Sequence, residues 1–331
     1  MNADSRRGNV TTLGRETTAD GVLEGLDLSG RTMVVTGASG GLGEETARSL
    51  AAHGATVVMA SRRPEAIDDA TDRILADHPD ADVHPVQLDL ASLSSVEAAA
   101  RAIVARHPRI DVLINSAGVM CAPFGHTADG FETHFGINHL GHFALTCRLL
   151  PALLAAEGAR VVTVTSAAHS ISDVDLDDPG FSATEYDEWV AYGRSKTANA
   201  LFTVELDRRL GDRGLLAFSV HPGTVMTDLY RHTTPELLAD AAERSRARAD
   251  ADGGDSGLFL KTPEQGAATQ VWAAVAEELA AHGGAYLADC QLAVEGANPS
   301  GPGYLPYAVD PVRAARLWAL SEDLAVVGCG P

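Results

Sequence analysis

Tyr192 and Lys196 stand four residues apart in Ala191-Tyr192-Gly193-Arg194-Ser195-Lys196, inside a stretch of helical character. At that spacing two side chains share one helix face, so an ammonium can lie beside a phenol. An unperturbed phenol titrates near pH ~10, and a neighbouring cation helps it exchange a proton closer to neutrality. The choice of lysine is informative. Of the 25 basic residues only Lys196 and Lys261 are lysines, and the other 23 are arginines. Where a positive charge only has to sit on the surface this chain writes arginine, so a lysine marks a place for a compact ammonium. An ordinary amphipathic helix with an aromatic at its edge would carry the same pair, so its setting decides.

The setting is an alternation of short β-rich runs and longer helical patterns. Strands are expected at Thr32–Thr36, Thr56–Ala60, Val83–Leu88, Asp111–Asn115, Arg160–Thr165, Leu216–His221 and Ala285–Leu287. Helices are expected at Leu42–His53, Pro64–Asp77, Ser92–Arg106, His139–Glu157, Tyr186–Leu210 and Pro263–His282. Such alternation predicts an α/β protein with a doubly wound parallel sheet, and the nearly continuous apolar strands fit a sheet covered on both faces. No repeat or linker divides the chain, so residues 28–331 read as a single Rossmann-like domain. Residues 1–27 read as a flexible extension with a short helix around Asp20–Leu26. Leu238–Asp255 is rich in Ala, Arg, Asp and Glu and reads as a polar helix and loop. It falls in an insertion at about 225–261 suited to a lid over a site, or to a solvated surface helix.

The first strand runs directly into Gly37-Ala38-Ser39-Gly40-Gly41-Leu42-Gly43 and then a helix. Glycines at 37, 41 and 43 permit a tight turn and let backbone approach a pyrophosphate at the helix N-terminus. The spacing is not Gly-x-Gly-x-x-Gly. It fits Thr-Gly-x-x-x-Gly-x-Gly, and Gly37, Gly40 and Gly43 also fit Gly-x-x-Gly-x-x-Gly. A position between first strand and first helix favours a nucleotide over a purely structural turn. The end of the second strand then chooses the nucleotide: a carboxylate there binds the 2′-hydroxyl of NAD, and an arginine accommodates a 2′-phosphate. This chain has Ser61-Arg62-Arg63 and no carboxylate. Arg62 can fork onto phosphate oxygens and Ser39 can add a hydroxyl, so NADP(H) is expected over NAD(H).

Thr36–Gly43, Asn115-Ser116-Ala117-Gly118, Asn138, Ser166, Tyr192/Lys196 and Pro222-Gly223 occur in that order. Together they resemble the short-chain dehydrogenase/reductase superfamily from about Leu26 to Leu324. Gly136–Phe143, Ala191–Leu201, His221–Thr227 and Gly284–Cys290 look like its retinol-dehydrogenase-like branch. The resemblance implies an NADP(H)-dependent oxidoreductase acting on an alcohol and its ketone or aldehyde, on a lipophilic small molecule. It implies that Ser166 holds the substrate oxygen and that Tyr192 exchanges the proton. Lys196 would lower the phenol's pKa and bind the nicotinamide ribose, and Asn138 would anchor a water leading to solvent. Asp89, with Leu90, would cap the adenine, and Asn115, Ala117 and Gly118 would form the adenine-ribose wall. Pro222, Gly223, Thr224 and Val225 would face the nicotinamide carboxamide, with Thr227 near the pyrophosphate. Ser116 departs from the usual Asn-Asn-Ala-Gly and implies a slightly altered wall. His169 and Trp189, in the long interval between Ser166 and Tyr192, would line the substrate entrance. Relatives often pair through the helix bearing Tyr192 and the one before it, so a homodimer or homotetramer is expected.

Bulk properties narrow the partners. A net charge of −20 excludes nucleic acid as a natural ligand and disfavours anionic lipid. No apolar run reaches the roughly 20 residues of a membrane span, and the polar first 27 residues do not resemble a secretory signal. Cys121, Cys147, Cys290 and Cys329 are widely spaced, which is expected of reduced thiols in a cytoplasmic protein. His134, His139 and His142 lack metal-ligand partners and read as packing and capping residues. Two other functions compete. A nucleotide-sugar epimerase or dehydratase also uses Tyr-x-x-x-Lys but does not call for Asn138 and Pro222-Gly223. A dinucleotide-sensing protein without turnover has no need of Ser166, Tyr192 and Lys196 together.

Overall fold

Runs of Val, Ile, Leu, Met and Ala become strands because a strand covered on both faces removes every side chain from water. In the computed structural model, which describes residues 13–240, 243, 259–296 and 303–329, these runs are β1 (Thr32–Thr36), β2 (Thr56–Ser61), β4 (Val112–Asn115), β5 (Arg160–Val164) and β6 (Leu216–His221). The more polar β3 (Asp82–Gln87) takes the edge. The sheet is completed by β9 (Tyr286–Ala288) and β10 (Gln291–Leu292), in the order β3-β2-β1-β4-β5-β6-β9-β10. Only β10 is antiparallel to its neighbour. Chain order reverses on either side of β1, and the crevice at the carboxyl ends of β1 and β4 is where such sheets bind ligands. Two short parallel pairs stand apart: β7 (Thr224–Val225) with β8 (Leu260–Lys261), and β11 (Val294–Glu295) with β12 (Gly303–Tyr304).

Strand alternation divides the core. Met33, Val35, Val57 and Met59 point to one face, under α1 (Ala19–Leu23), α2 (Gly41–Ala52), α3 (Pro64–Asp77) and α7 (Pro263–Val275). Val34, Val58, Leu113 and Val161 point to the other, under α4 (Leu93–Arg106), α5 (Gly141–Leu153) and α6 (Glu188–Leu210). Thr262 and Gln265 start α7 with a reciprocal capping box. Asp187 caps α6, so the helix begins two residues after Tyr186. The stretch expected as one helix from His139 begins instead as a π-helical turn, Phe135–Leu140, that carries Asn138 into α5. Such turns concentrate at functional sites.

Three features differ from expectation. Ala19 and Leu23 are fully buried against α7 and α2, so the described part of the first 27 residues belongs to the folded body. A C-terminal helix, α8 (Pro311–Ala325), follows Asp310, whose side chain accepts from the Val312 and Arg313 amides. It lies along α6. Its Trp318 inserts between α5 and α6, edge-on to Phe143 at 5.1 Å and stacked on Phe202 at 5.9 Å, beneath the Arg209 guanidinium at 4.7 Å. Ser321 Oγ meets His139 Nε2 at 2.8 Å. Finally, Cys147 and Cys329 form a disulfide, where four reduced thiols were expected. The two residues are 182 positions apart, so only the fold reveals the pairing. The polar segment 238–255 lies outside the described residues except at 238–240 and 243.

The aromatic wedge and the covalent staple fasten the same helix. Trp318→Ala is expected to lower the unfolding free energy by about 3–5 kcal/mol, and Cys329→Ser by about 2–4 kcal/mol, in urea denaturation. A Cys329→Ser protein as stable as wild type under oxidising conditions would contradict the staple.

Candidate active site

The glycine turn is built by close approach. Gly37 has φ +72°, and a methyl on it would lie 2.8 Å from Ala117 Cα. A methyl on Gly43 would lie 2.4 Å from the Gly37 carbonyl oxygen. The end of β1, the end of β4 and the start of α2 therefore interlock only through bare backbone. Gly40 precedes α2 without a side-chain cap, so no side chain there takes the first-turn N–H groups. Gly40 faces open space, while Gly41, at φ +55°, faces Thr227, whose side chain would stand 3.3 Å from a methyl at that position. The Leu42 side chain turns back onto α7 at Gly266, so Leu42 offers the crevice only its backbone. These features fit a pyrophosphate. Ser39 Oγ and Ser61 Oγ meet at 2.7 Å, joining the turn to the end of β2 beside exposed Arg62.

The wall opposite is organised by Thr36, the threonine that opens the Thr-Gly-x-x-x-Gly-x-Gly pattern, to which the pattern itself assigned no role. Its hydroxyl accepts the N–H groups of Ser116 at 2.9 Å and Ala117 at 3.0 Å. It also meets His142 Nε2 at 2.9 Å, and His142 Nδ1 meets the Asn138 carbonyl at 2.9 Å. A carbonyl only accepts, so Nδ1 carries the proton and Nε2 receives the threonine's. Burial presses the His142 ring down to about 4, which keeps it neutral for this role. Asn115 turns inward, its Nδ2 3.3 Å from both Thr146 and Thr163, and supports the wall from behind. Asp89 Oδ1 accepts the Ala91 amide at 3.0 Å, fixing the loop after β3. The Leu90 carbonyl rests on Gly141 of α5.

Asn138, Ser166, Tyr192 and Lys196 come together at the ends of β4 and β5. Asn138 Oδ1 accepts the Val119 amide at 2.8 Å. Its Nδ2 donates to the Val119 carbonyl and to Ser195 Oγ, both at 2.9 Å. Ser195 in turn donates to the Tyr192 carbonyl at 2.7 Å, so Asn138 clamps α6 to the wall. A methyl on Gly118 would stand 3.2 Å from Asn138 Oδ1 and 3.7 Å from Lys196 Nζ, so the glycine keeps the space between them open. The Ser166 side chain acts on the Tyr192 phenol, drawing its proton affinity down against the effect of burial.

Lys196 Nζ donates to the Val164 carbonyl at 2.9 Å and stands 5.7 Å from the centre of the Tyr192 ring. The spacing of four brings the ammonium over the Tyr192 ring. Burial dominates both groups: it holds the phenol above its ordinary value, against the Ser166 hydrogen bond, and presses the ammonium down to about 7. The placement of His169 is a correction. The residue is buried, with Nδ1 on the Ser166 carbonyl at 2.8 Å and Nε2 accepting the Leu305 amide at 3.1 Å. Its ring therefore braces the frame behind Ser166 instead of facing substrate.

The apolar wall beside Tyr192 comprises Met120, Cys121, Ala168 and Trp189, with Ile171, Leu229, Tyr230 and Leu237 packed against it. Trp189 Nε1 donates to the Leu237 carbonyl at 3.1 Å, tying α6 to the segment after β7. Apart from Trp189 these residues carry no polar signature in sequence, and only the fold gathers them. Behind the wall, buried His134 bonds Glu132 at 2.9 Å and accepts the Ala122 amide at 3.1 Å. Gly223 turns at φ +85° and leads through Thr224 and Val225 to Thr227 over the glycine turn. Among the described residues, no cluster of His, Cys, Asp or Glu could hold a metal ion, and no helix is long and apolar enough to cross a membrane.

Residues 31–237 match the family model of the short chain dehydrogenases. The chain is 41% identical over 307 residues to a probable oxidoreductase of Streptomyces lividans, covering 92% of this chain and all of that one. It is 39% identical over 297 residues to human retinol dehydrogenase 13, covering 90% of this chain and 85% of that one. A crystal structure of a Mycobacterium paratuberculosis protein superposes with TM-score 0.70 at 37% identity, over 92% of this chain and 97% of that one. The Pseudomonas aeruginosa RhlG/NADP active-site complex superposes with TM-score 0.59 at 26% identity, over 79% and 95% respectively.

The buried lysine leaves a signature in stability. Between about 7 and the ordinary 10.5 the unfolded chain binds a proton at Lys196 that the folded chain does not. The cost of burying the ammonium is therefore full below that window and is relieved as pH rises through it. The gain in unfolding free energy from Lys196→Met is expected to be larger at pH ~6 than at pH ~10, measured by urea denaturation without added nucleotide. A wild-type-minus-variant difference that does not change with pH would contradict the buried ammonium.

Proposed function

The chain belongs to the short-chain dehydrogenase family, and from that premise we propose an NADP(H)-dependent oxidoreductase that interconverts an alcohol and its ketone or aldehyde on a lipophilic small molecule. One observation carries the reading: Ser166 acts on the Tyr192 phenol, and buried Lys196 stands 5.7 Å from the centre of the Tyr192 ring, beside an apolar wall. NADP(H) would supply or take the hydride. The glycine turn and the α2 N-terminus would hold its pyrophosphate, Arg62 with Ser39 and Ser61 its 2′-phosphate, and residues 222–227 its nicotinamide half.

The residues divide the remaining work. Ser166 Oγ would hold the substrate oxygen next to Tyr192 Oη. Burial keeps Tyr192 protonated at neutral pH, so in the reductive direction it is a loaded acid that donates as negative charge grows on that oxygen. Lys196, pressed to about 7, exchanges a proton near neutrality, and the gap over Gly118 toward Asn138 gives that proton a way past the glycine. Met120, Trp189 and Tyr230 would exclude water and favour an apolar substrate, in keeping with a relative named for retinol. A homodimer or homotetramer would need a surface other than the part of α5 and α6 that Trp318 and α8 cover. A cytoplasmic setting would need the Cys147–Cys329 bond to survive reductant, and the burial of both residues protects it.

NADPH consumption with a panel of apolar ketones and aldehydes tests the reading. Tyr192→Phe is expected to lower kcat by about 10²–10⁴-fold, and Lys196→Arg is not expected to restore what loss of the lysine removes. NADPH binding without turnover on any carbonyl, unaffected by Tyr192→Phe, would instead support a sensing role. Arg62→Ala is expected to weaken NADPH binding by about 10–100-fold and leave NADH unchanged, as loss of a charged hydrogen bond would. Equal losses for both nucleotides would remove the case for the 2′-phosphate.

A further inference from the structure

Lys261, the other lysine of the chain, takes no part in the proton path, yet its surroundings are as specific as those of Lys196. It lies on β8 opposite Val225 of β7, with its side chain 3% exposed. Its stem crosses the bare face of Gly223, where a methyl would stand 2.8 Å from both Cδ and Cε. Its ammonium ends on Asp289 Oδ1 at 2.6 Å. Asp289 directly follows β9, whose Ala288 is paired with His221 at the end of β6. Asp289 and Cys290 both adopt left-handed backbone, at φ 51° and 53°, a conformation that residues with a Cβ hold only when surroundings enforce it. The neighbouring His221 ring is buried and held neutral, down to about 4, by burial and by the Lys261 charge, so it does not compete for the carboxylate.

A buried ion pair costs desolvation and is a poor way to add stability. What this pair does is geometric. It spans from the last strands of the sheet to the Pro222-Gly223-Thr224 turn, between Thr227 over the glycine turn and Ser166 just past the adjoining β5. We infer that Lys261 and Asp289 form a positioning clamp, pressing the lysine stem against Gly223 to set the turn that faces the nicotinamide and so the placement of that ring beside Tyr192. Arginine would not serve, because a planar guanidinium cannot cross Gly223 and end as a compact charge on one carboxylate oxygen. The inference rests on the proposed cofactor site.

The experiment compares two ligands by calorimetry: NADPH, and 2′-phospho-ADP-ribose, which has the same adenosine and phosphates but no nicotinamide. Lys261→Met and Asp289→Asn are expected to weaken NADPH by about 10–100-fold, the effect of a small misplacement, and to leave the fragment at wild-type affinity. Lys261→Arg should behave as Lys261→Met does. If the single variants fold poorly, Lys261→Met/Asp289→Asn removes both charges while keeping a residue that tolerates the left-handed backbone at 289, and it is expected to keep the selective loss. NADPH and fragment affinities that shift together, or that both stay unchanged while only the melting temperature falls, would overturn the clamp and leave a structural pair. A wild-type protein that binds neither NADPH nor NADH would overturn the cofactor reading, and the clamp with it.

Discussion

The hydroxyl of Thr36 ties the two halves of the crevice together. It sits at the last residue of β1, next to the glycine turn, and takes two amides from the wall after β4 while giving its proton to His142. His142 passes the constraint to the Asn138 carbonyl, and Asn138 passes it through Ser195 to the turn of α6 that bears Tyr192. The links from Thr36 through His142, Asn138 and Ser195 are buried, and a buried polar group left unpaired is costly, so the chain of bonds holds as a unit. The glycine-turn end of the crevice and its Tyr192 end are thus placed by one network, not by separate loops. The bare backbone of Gly37 against Ala117 closes the same joint sterically.

Burial supplies the chemistry as well as the frame. Removing water from Tyr192 and Lys196 favours the neutral form of each, which raises the phenol and lowers the ammonium. The two shifts converge: the acid keeps its proton, and its neighbour becomes able to exchange one near neutrality. The same desolvation makes His139, His142 and His221 neutral structural parts. Three buried histidines near a catalytic centre are thereby removed as rivals for its proton.

Much of the fold was legible because its signals are local. The apolar runs gave the central strands nearly residue for residue, and Pro64–Asp77 and Leu216–His221 have the expected bounds. The glycines at 37, 41 and 43 and the Tyr192/Lys196 spacing likewise marked their sites from neighbours in sequence. α8 had a legible start in Asp310-Pro311, an N-cap followed by proline, but its polar first turns resemble a surface segment until Trp318 finds its slot. The Cys147–Cys329 bond, the bracing role of His169 through Leu305 and the Lys261–Asp289 pair carry no local signal, because each joins distant parts of the chain.

By itself the sequence determined the class of fold and marked the glycine turn and the Tyr192/Lys196 pair, since periodicity and short spacings are properties of neighbouring residues. Lysine against a background of arginine pointed to Lys196 as a place for a compact ammonium and gave Lys261 no role. Tertiary structure alone decided what each ammonium touches: Val164 and the face of Tyr192 for Lys196, Asp289 and Gly223 for Lys261. Helical spacing sets the side of the helix a group occupies. Its partner, its depth and therefore its proton affinity depend on which strands close around it.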